Sequence, residues 1–320
     1  MNDISVIIPY YNREEYIDEA VQSVLSGSLQ PLEIIIVNDC SREASRRYLD
    51  RYSNVCRIID LRVNVGLGGA RNAGIREAKG RFIALLDDDD IWFPHKLEVQ
   101  RRYMEEHPEC ALVHSAVWAF FSNKRELLWE CFDYFPLPLA QALTHEQWVI
   151  PSTILIRAEV LRALGGFDPH LRENEDRDFI VRCCAAGYRV EGIHQPLARM
   201  RRGDHARLTK NKIRMFLAHT RMCWRYRSLY YRAYGMRGIV SFLVQSLHIA
   251  TMQTRYLDGA VRRLLKLVKV KYDLKPEYRE PVLPVSTKKA PAREAESGPI
   301  ASFAVPVAEN TSSARVKILR

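Results

Sequence analysis

Unbroken apolar runs alternate with helically periodic segments along the N-terminal part of the chain. Ile4 to Ile8 reads as a buried strand and ends in Pro9-Tyr10-Tyr11-Asn12. Glu14 to Leu25 repeats apolar residues at helical spacing, which predicts a helix. Glu33 to Val37 is a second apolar strand, ending in Asn38-Asp39-Cys40-Ser41 with Ser41 placed to cap a following helix. Val55 to Leu61 predicts a third strand, which leads through Asn64-Val65-Gly66-Leu67-Gly68-Gly69-Ala70-Arg71-Asn72 into another helix, and Arg81 to Leu86 predicts a fourth. Strands buried on both faces show no polar alternation, and strands alternating with helices imply a doubly wound α/β sheet. Ligands in such sheets bind beyond the carboxyl ends of the strands. Every polar cluster named above falls at such an end.

Four consecutive aspartates, Asp87 to Asp90, follow the fourth run and precede Ile91-Trp92-Phe93-Pro94. Carboxylates crowded at a strand end repel one another unless a cation or hydrogen-bond donors sit among them. Side chains two apart on an extended segment share a face, so Asp87 and Asp89 can converge on one hard metal ion that also holds substrate phosphates. The same residues also suit a solvated turn capping the helix that Pro94 starts. The glycines Gly66, Gly68 and Gly69 do not form a dinucleotide-binding fingerprint, because they follow the third strand and lack its spacing. They suit close backbone approach at the start of the next helix.

The segments VIIPYYN, IIIVNDCS, NVGLGGARNAGI and FIALLDDDDIW, in that order, resemble the inverting family 2 glycosyltransferases of the GT-A fold. Gly165-Gly166-Phe167-Asp168, followed by Glu173-Asn174-Glu175-Asp176-Arg177-Asp178-Phe179, resembles that family's acceptor-side segment. The resemblance runs over residues 3–210 and implies a Rossmann-like mixed sheet flanked by helices. It implies that Pro9, Tyr11 and Asp39 hold the base and ribose of a nucleotide sugar, and that Arg71 lies near the nucleotide and its phosphates. Where the family usually has two aspartates in its second motif, this chain has Asn38-Asp39, so Asp39 alone takes that role.

The resemblance further implies a metal-binding Asp-x-Asp at Asp87-Asp88-Asp89, with Asp89 the preferred ligand to Mn²⁺ or Mg²⁺ and Asp88 toward the ribose or donor sugar. The run of four permits a one-residue shift in that register. Asp176 matches the base that deprotonates the acceptor hydroxyl, with Glu175 beside it at the start of a helix over 176–186; a cluster of acids capping a helix is the plainer alternative. A single displacement would invert the anomeric centre. The donor implied is a nucleoside diphosphate sugar, most often a uridine one in this family, and the acceptor a hydroxyl of a lipid-linked or cell-envelope glycan. Trp92, Phe93, Trp148 and Ile150-Pro151-Ser152-Thr153 are candidates for packing on acceptor sugars. Arg199, Arg201, Arg202, His205 and Arg207 follow a strand around Tyr188 to Ile193; His205 is a candidate metal or diphosphate ligand and Arg202 a candidate phosphate partner. A Gln-x-x-Arg-Trp motif of processive synthases is absent.

With 320 residues and 47% hydrophobic content, the chain can bury one substantial core. That suggests a catalytic domain over 1–210, a basic and aromatic helical extension over 211–275, and a disordered tail over 276–320 rich in Pro, Ala, Ser, Glu and Lys. Seven cysteines at odd count and unpaired spacing fit neither a zinc site nor a disulfide framework, and the first strand begins almost at Met1, which fits a cytoplasmic protein. The net charge of +10 is uneven: between Arg199 and Arg237 twelve Lys or Arg residues face one acid, Asp204. Interleaved aromatic residues, the apolar stretch Gly238 to Met252 and the basic Val261 to Val270 suit peripheral contact with anionic lipid. The fifteen residues of the apolar stretch are too few to span a bilayer, which takes about twenty. Two other classes compete. A nucleic-acid binder lacks any matching signature and would meet repulsion at the acidic turn. A metal-dependent nucleotidyltransferase would share the strand-end aspartates but needs a phosphate-binding loop near the N-terminus. Joint retention of Asp39, Asp87, Asp89 and Asp176 speaks against an idle scaffold.

Overall fold

A computed structural model describes residues 2–121, 126–129, 136–143, 149–202, 217–218, 220–222, 224–236, 240 and 316–318. Strand β1 (Ile4–Tyr10) is buried along its whole length, and β2 (Glu33–Asn38) nearly so. With β3 (Arg57–Asp60) and β4 (Phe82–Leu85) they form a parallel array in the order β3-β2-β1-β4. The alternate residues of each strand feed two cores. Ile7, Ile35, Val37, Ile83 and Leu85 pack with Ala70 and Ala73 of helix α3 (Gly66–Glu77) on one face. Val6, Ile8, Ile34, Ile36 and Ala84 pack with Ile17 and Val21 of α1 (Glu14–Leu25) on the other. Burial on both faces explains why β1, β2 and β4 are continuous apolar runs, whereas β3 at the sheet edge has exposed Arg57 and Asp60 at its ends.

Beyond β4 the sheet becomes mixed. β8 (Leu155–Arg157) runs antiparallel to β4, and β6 (Cys110–Phe121) runs antiparallel to β8. β6 also pairs in parallel with β9 (Arg189–Arg202), and antiparallel with β7 (Glu126–Trp129). The short β5 (Ile91–Trp92) pairs with β9 and bends the acidic turn back against it. Helices α2 (Glu43–Tyr48), α4 (Lys96–Glu106), α5 (Leu139–Ala142), α6 (Ala158–Ala163) and α7 (Glu175–Ala185) complete the layers. The expected α/β mixed sheet flanked by helices is what forms.

Several local expectations change. Ser41 does not cap α2, which starts after Arg42 without a side-chain cap; the Ser41 Oγ instead accepts the Asn12 N–H at 3.1 Å. Arg199, Arg201 and Arg202 are not in a loop after a strand ending near Ile193, because β9 continues through them with Phe120 and Phe121 of β6 as register partners. Residues 224–236 are helical, and Tyr226 and Tyr230 are buried in the same core as α7. His205, Arg207 and Trp148, the stretch 261–270, and 238–252 except residue 240 lie outside the described residues, as does the tail apart from β10 (Val316–Ile318), which pairs with β7. Among the described residues no helix is long and apolar enough to cross a membrane.

Candidate active site

The carboxyl ends of β1, β2 and β4 lie along one edge, and the turns that follow are tied to each other. Asn12 and Cys40 both adopt left-handed backbone conformations, with φ of 51° and 61°. Between those turns the Arg42 N–H donates to Asn12 Oδ1 at 2.9 Å. Asn38 donates to Asp60 Oδ1 at 2.8 Å and accepts the Ser41 N–H at 3.0 Å, so it shapes the turn from within. Asp39 is buried, and its two oxygens accept the N–H groups of Val65 at 2.7 Å and Gly66 at 2.9 Å. It thereby anchors the start of α3, where Gly66 has φ +78° and a Cβ would stand 2.8 Å from Arg172 Nη1. Pro9 is buried within β1, while Tyr11, just beyond it, is 49% exposed.

Every aspartate of the acidic turn is engaged by a neighbouring group. Asp87 receives Arg71 Nη2 at 2.6 Å, and its N–H donates to Ser152 Oγ at 3.1 Å. Asp88 and Asp89 share Arg13 Nη1, at 3.0 and 2.7 Å. Asp90 accepts Ser152 Oγ–H at 2.6 Å and the Arg201 N–H at 3.0 Å. Burial dominates the acidities: it pushes Asp88 up to about 8, against the lowering charge of Arg13, and it holds Asp90 well above the ordinary carboxylate range. Trp92 is buried, with its indole N–H on the Ser152 carbonyl at 2.8 Å. Trp92 and the 151–153 turn therefore back the acidic turn from below instead of presenting a ring to solvent.

Helix α7 brings the second group of carboxylates. Asn174, with φ 61°, turns the chain so that Glu175 and Asp176 head the helix. Arg71 is 1% exposed and spans the gap, with Nη1 on Glu175 Oε1 at 2.7 Å. Burial and then the Asp176 charge raise Glu175 to about 7, while Arg71 lowers it. Burial likewise raises Asp176, opposed first by Arg71. Arg71 is thus a buried bridge beneath both carboxylate groups, a placement the sequence did not reveal. Asp178, fully buried, accepts Arg182 at 2.8 Å, Arg225 at 2.8 Å and the Tyr226 hydroxyl at 2.6 Å, which fastens the C-terminal helical residues to α7. Arg202 is half-buried at the end of β9.

Among the described residues no three metal-ligating side chains converge. Mg²⁺ and similar hard ions in nucleotide sites are commonly held by one or two carboxylates, with substrate phosphates and water supplying the rest. The oxygen donors of Asp87 and Asp89 fit such an ion. Asp87 is the most accessible of the ion-paired three, its side chain 23% exposed against 9% for Asp88 and 8% for Asp89.

Comparison with known proteins gives consistent results. Residues 5–165 match Glycosyl transferase family 2. The putative teichuronic acid biosynthesis glycosyltransferase TuaG of Bacillus subtilis is 41% identical over 111 residues, which is 34% of this chain and 44% of TuaG. Several curated relatives are matched over less than two thirds of their own length. The crystal structure of S. aureus TarS 1-349 in complex with UDP-GlcNAc superposes with TM-score 0.54 at 17% identity, over 88% of this chain and 95% of that one. The mannosyltransferase PcManGT from Pyrobaculum calidifontis, in complex with GDP-Man and Mn²⁺, gives TM-score 0.51 at 16% identity, over 83% and 80%. At these identities the superpositions establish the fold. The family match runs from β1 into the turn after α6 and so takes in all three strand ends and the acidic turn, which makes this chain a member of glycosyl transferase family 2, a glycosyltransferase with the GT-A fold.

Proposed function

We propose that the protein transfers a single sugar from a nucleoside diphosphate sugar, most simply a UDP-sugar, to a hydroxyl of a lipid-linked or cell-envelope glycan, with inversion by direct displacement. The observation that carries this is the Arg71 bridge, which sets Asp87 of the acidic turn and Glu175 at the head of α7 on one guanidinium. A donor lying over the strand ends would meet exposed Tyr11 and buried Asp39 at its nucleoside end and the acidic turn at its diphosphate. Asp176 would take the acceptor proton, since burial raises its basicity. Asp89 and Asp87 would hold Mn²⁺ or Mg²⁺, which when bound supplies charge to offset the departing diphosphate.

The donor class is supported by the UDP-GlcNAc and GDP-Man bound to the two fold relatives, and the acceptor class by the teichuronic acid role in the name of TuaG. Peripheral attachment at an anionic membrane surface is supported by exposed Trp224 and Tyr231 on a basic helix, and would bring the site to a lipid-linked acceptor. The test is a screen of UDP-, GDP- and dTDP-sugars for Mn²⁺-dependent hydrolysis and transfer. Activity lost on chelation and in Asp89→Ala supports the assignment. Unaltered turnover under exhaustive chelation overturns the metal's role, and an absence of turnover with every donor overturns the donor class.

A further inference from the structure

Arg13 lies in the turn after β1, directly following Asn12, and reaches across to the acidic turn after the neighbouring strand β4. A single nitrogen, Nη1, stands 3.0 Å from Asp88 Oδ1 and 2.7 Å from Asp89 Oδ2. Both carboxylates are under a tenth exposed, while the arginine side chain is 25% exposed. The other aspartates of the turn are satisfied elsewhere: Asp87 by Arg71, and Asp90 by the Ser152 hydroxyl and the Arg201 amide. Arg71 is locked at 1% exposure between two carboxylates and Arg201 donates to the Asp89 carbonyl at 3.2 Å, so Arg13 is the partly exposed cation paired with the Asp88 and Asp89 side chains.

We propose that Arg13 is the internal counter-ion of the acidic turn, holding Asp88 and Asp89 until a divalent ion arrives, and that metal and Arg13 compete for Asp89. A guanidinium and a divalent cation repel each other, and both require the lone pairs of Asp89. One positive charge between two buried carboxylates keeps the turn from repelling itself, whereas an ion of twice the charge binds there only by displacing the arginine. Once displaced, Arg13 remains beside the site as a fork of donors suited to phosphate, and so favours metal entry together with the diphosphate over metal alone. Arg13 thus acts as a positioning residue that links metal binding to donor binding. The inference rests on the proposal that the acidic turn takes a divalent ion.

The experiment is a titration of the nucleotide-free full chain with Mn²⁺, reading free Mn²⁺ by its EPR signal, repeated with UDP. Arg13→Gln removes the competing charge and is expected to bind Mn²⁺ alone roughly tenfold more tightly than wild type. Arg13→Met should give the same shift, and Arg13→Lys, which keeps the charge, should stay close to wild type. With UDP present the advantage of Arg13→Gln should shrink or reverse. In EDTA, Arg13→Gln should melt below wild type and recover on adding Mn²⁺, a rescue that a purely structural arginine would not give. Equal or weaker Mn²⁺ binding by Arg13→Gln and Arg13→Met, with UDP-dependent Mn²⁺ uptake by wild type intact, overturns the counter-ion role alone. Failure of wild type and variants alike to take up Mn²⁺ with UDP overturns the metal proposal and this inference together.

Discussion

Arg71 and Glu175 meet at 2.7 Å inside the protein although 104 positions separate them in the chain. The same guanidinium holds Asp87 at 2.6 Å, so one buried charge spans the sheet edge and the head of α7. A charge this deeply buried persists because its partners neutralise it, and removing one side leaves the other uncompensated. Arg71→Met is therefore expected to destabilise the protein by about 3–5 kcal/mol, measured as a lowered urea midpoint. Arg71→Lys keeps the charge but loses the two-armed geometry. It should recover part of the stability while turnover stays low. Wild-type turnover in a folded Arg71→Lys protein would show that the bridge does not position the site.

Asp176, in the first turn of α7, accepts the Arg177 N–H on Oδ1 at 2.7 Å. Asp176→Asn preserves shape and removes basicity. Transfer is expected to fall by about 10²–10⁴-fold, the usual worth of a general base, with donor affinity by calorimetry unchanged. Near-normal turnover would move the base to another group.

The strands that frame the site were legible because burial on both faces leaves one pattern in a sequence, an unbroken apolar run. The strand-end rule then located Asp39 and the aspartates at 87–90 without knowledge of their partners. The partners were not legible, because each comes from a distant part of the chain. Arg13 meets Asp88 across 75 positions, and only the pairing of β1 beside β4 brings them together. Arg71 reads as a residue near the nucleotide phosphates until Glu175 is placed against it. The arginines of β9 misled for a related reason: their charge sets them apart from the strand that precedes them, yet Arg201 lies over the rings of Tyr16 and Phe120, and Arg199 over Phe120. Their charge is absorbed by tertiary contacts that local periodicity does not encode.

Glu175 and Asp176 are adjacent carboxylates that titrate as a pair, with Glu175 raised to about 7 by burial and by its neighbour's charge. Because the base must be ionised and burial raises the Asp176 carboxyl, the transfer rate should still be rising with pH above the range where an ordinary aspartate is fully ionised. Stability should move the opposite way. An acid whose native pKa lies above its unfolded value holds extra protons when folded. The Glu175 contribution is thus fully present below the unfolded pKa of about 4.3 and lost as pH rises through about 7. Urea midpoints measured from pH 5 to pH 8 should fall for wild type, and Glu175→Gln should flatten that dependence. An unchanged slope in Glu175→Gln would assign the titration to another group.

The described helical residues between Leu217 and Met236 present two faces. Ala218 is buried, and Met222, Tyr226 and Tyr230 are buried in the same core as Phe179 and Ile180 of α7. Leu217, Trp224 and Tyr231 are exposed, at 47%, 71% and 56%, with exposed Arg221, Arg227 and Arg232 among them. Aromatic rings settle at the headgroup level of a bilayer, and each basic residue near an anionic surface adds about 1 kcal/mol. Vesicles containing phosphatidylglycerol should therefore retain the protein at low salt, and phosphatidylcholine vesicles should not. Trp224→Ala with Tyr231→Ala should weaken retention, and each Arg→Glu change at 221, 227 or 232 should weaken it by on the order of fivefold or more. Hydrolysis of a soluble donor should be untouched by these variants, because the docked face that grips Asp178 is intact. Equal retention on both vesicle types, or retention on RNA in preference to either, would show that this face serves something other than an anionic membrane.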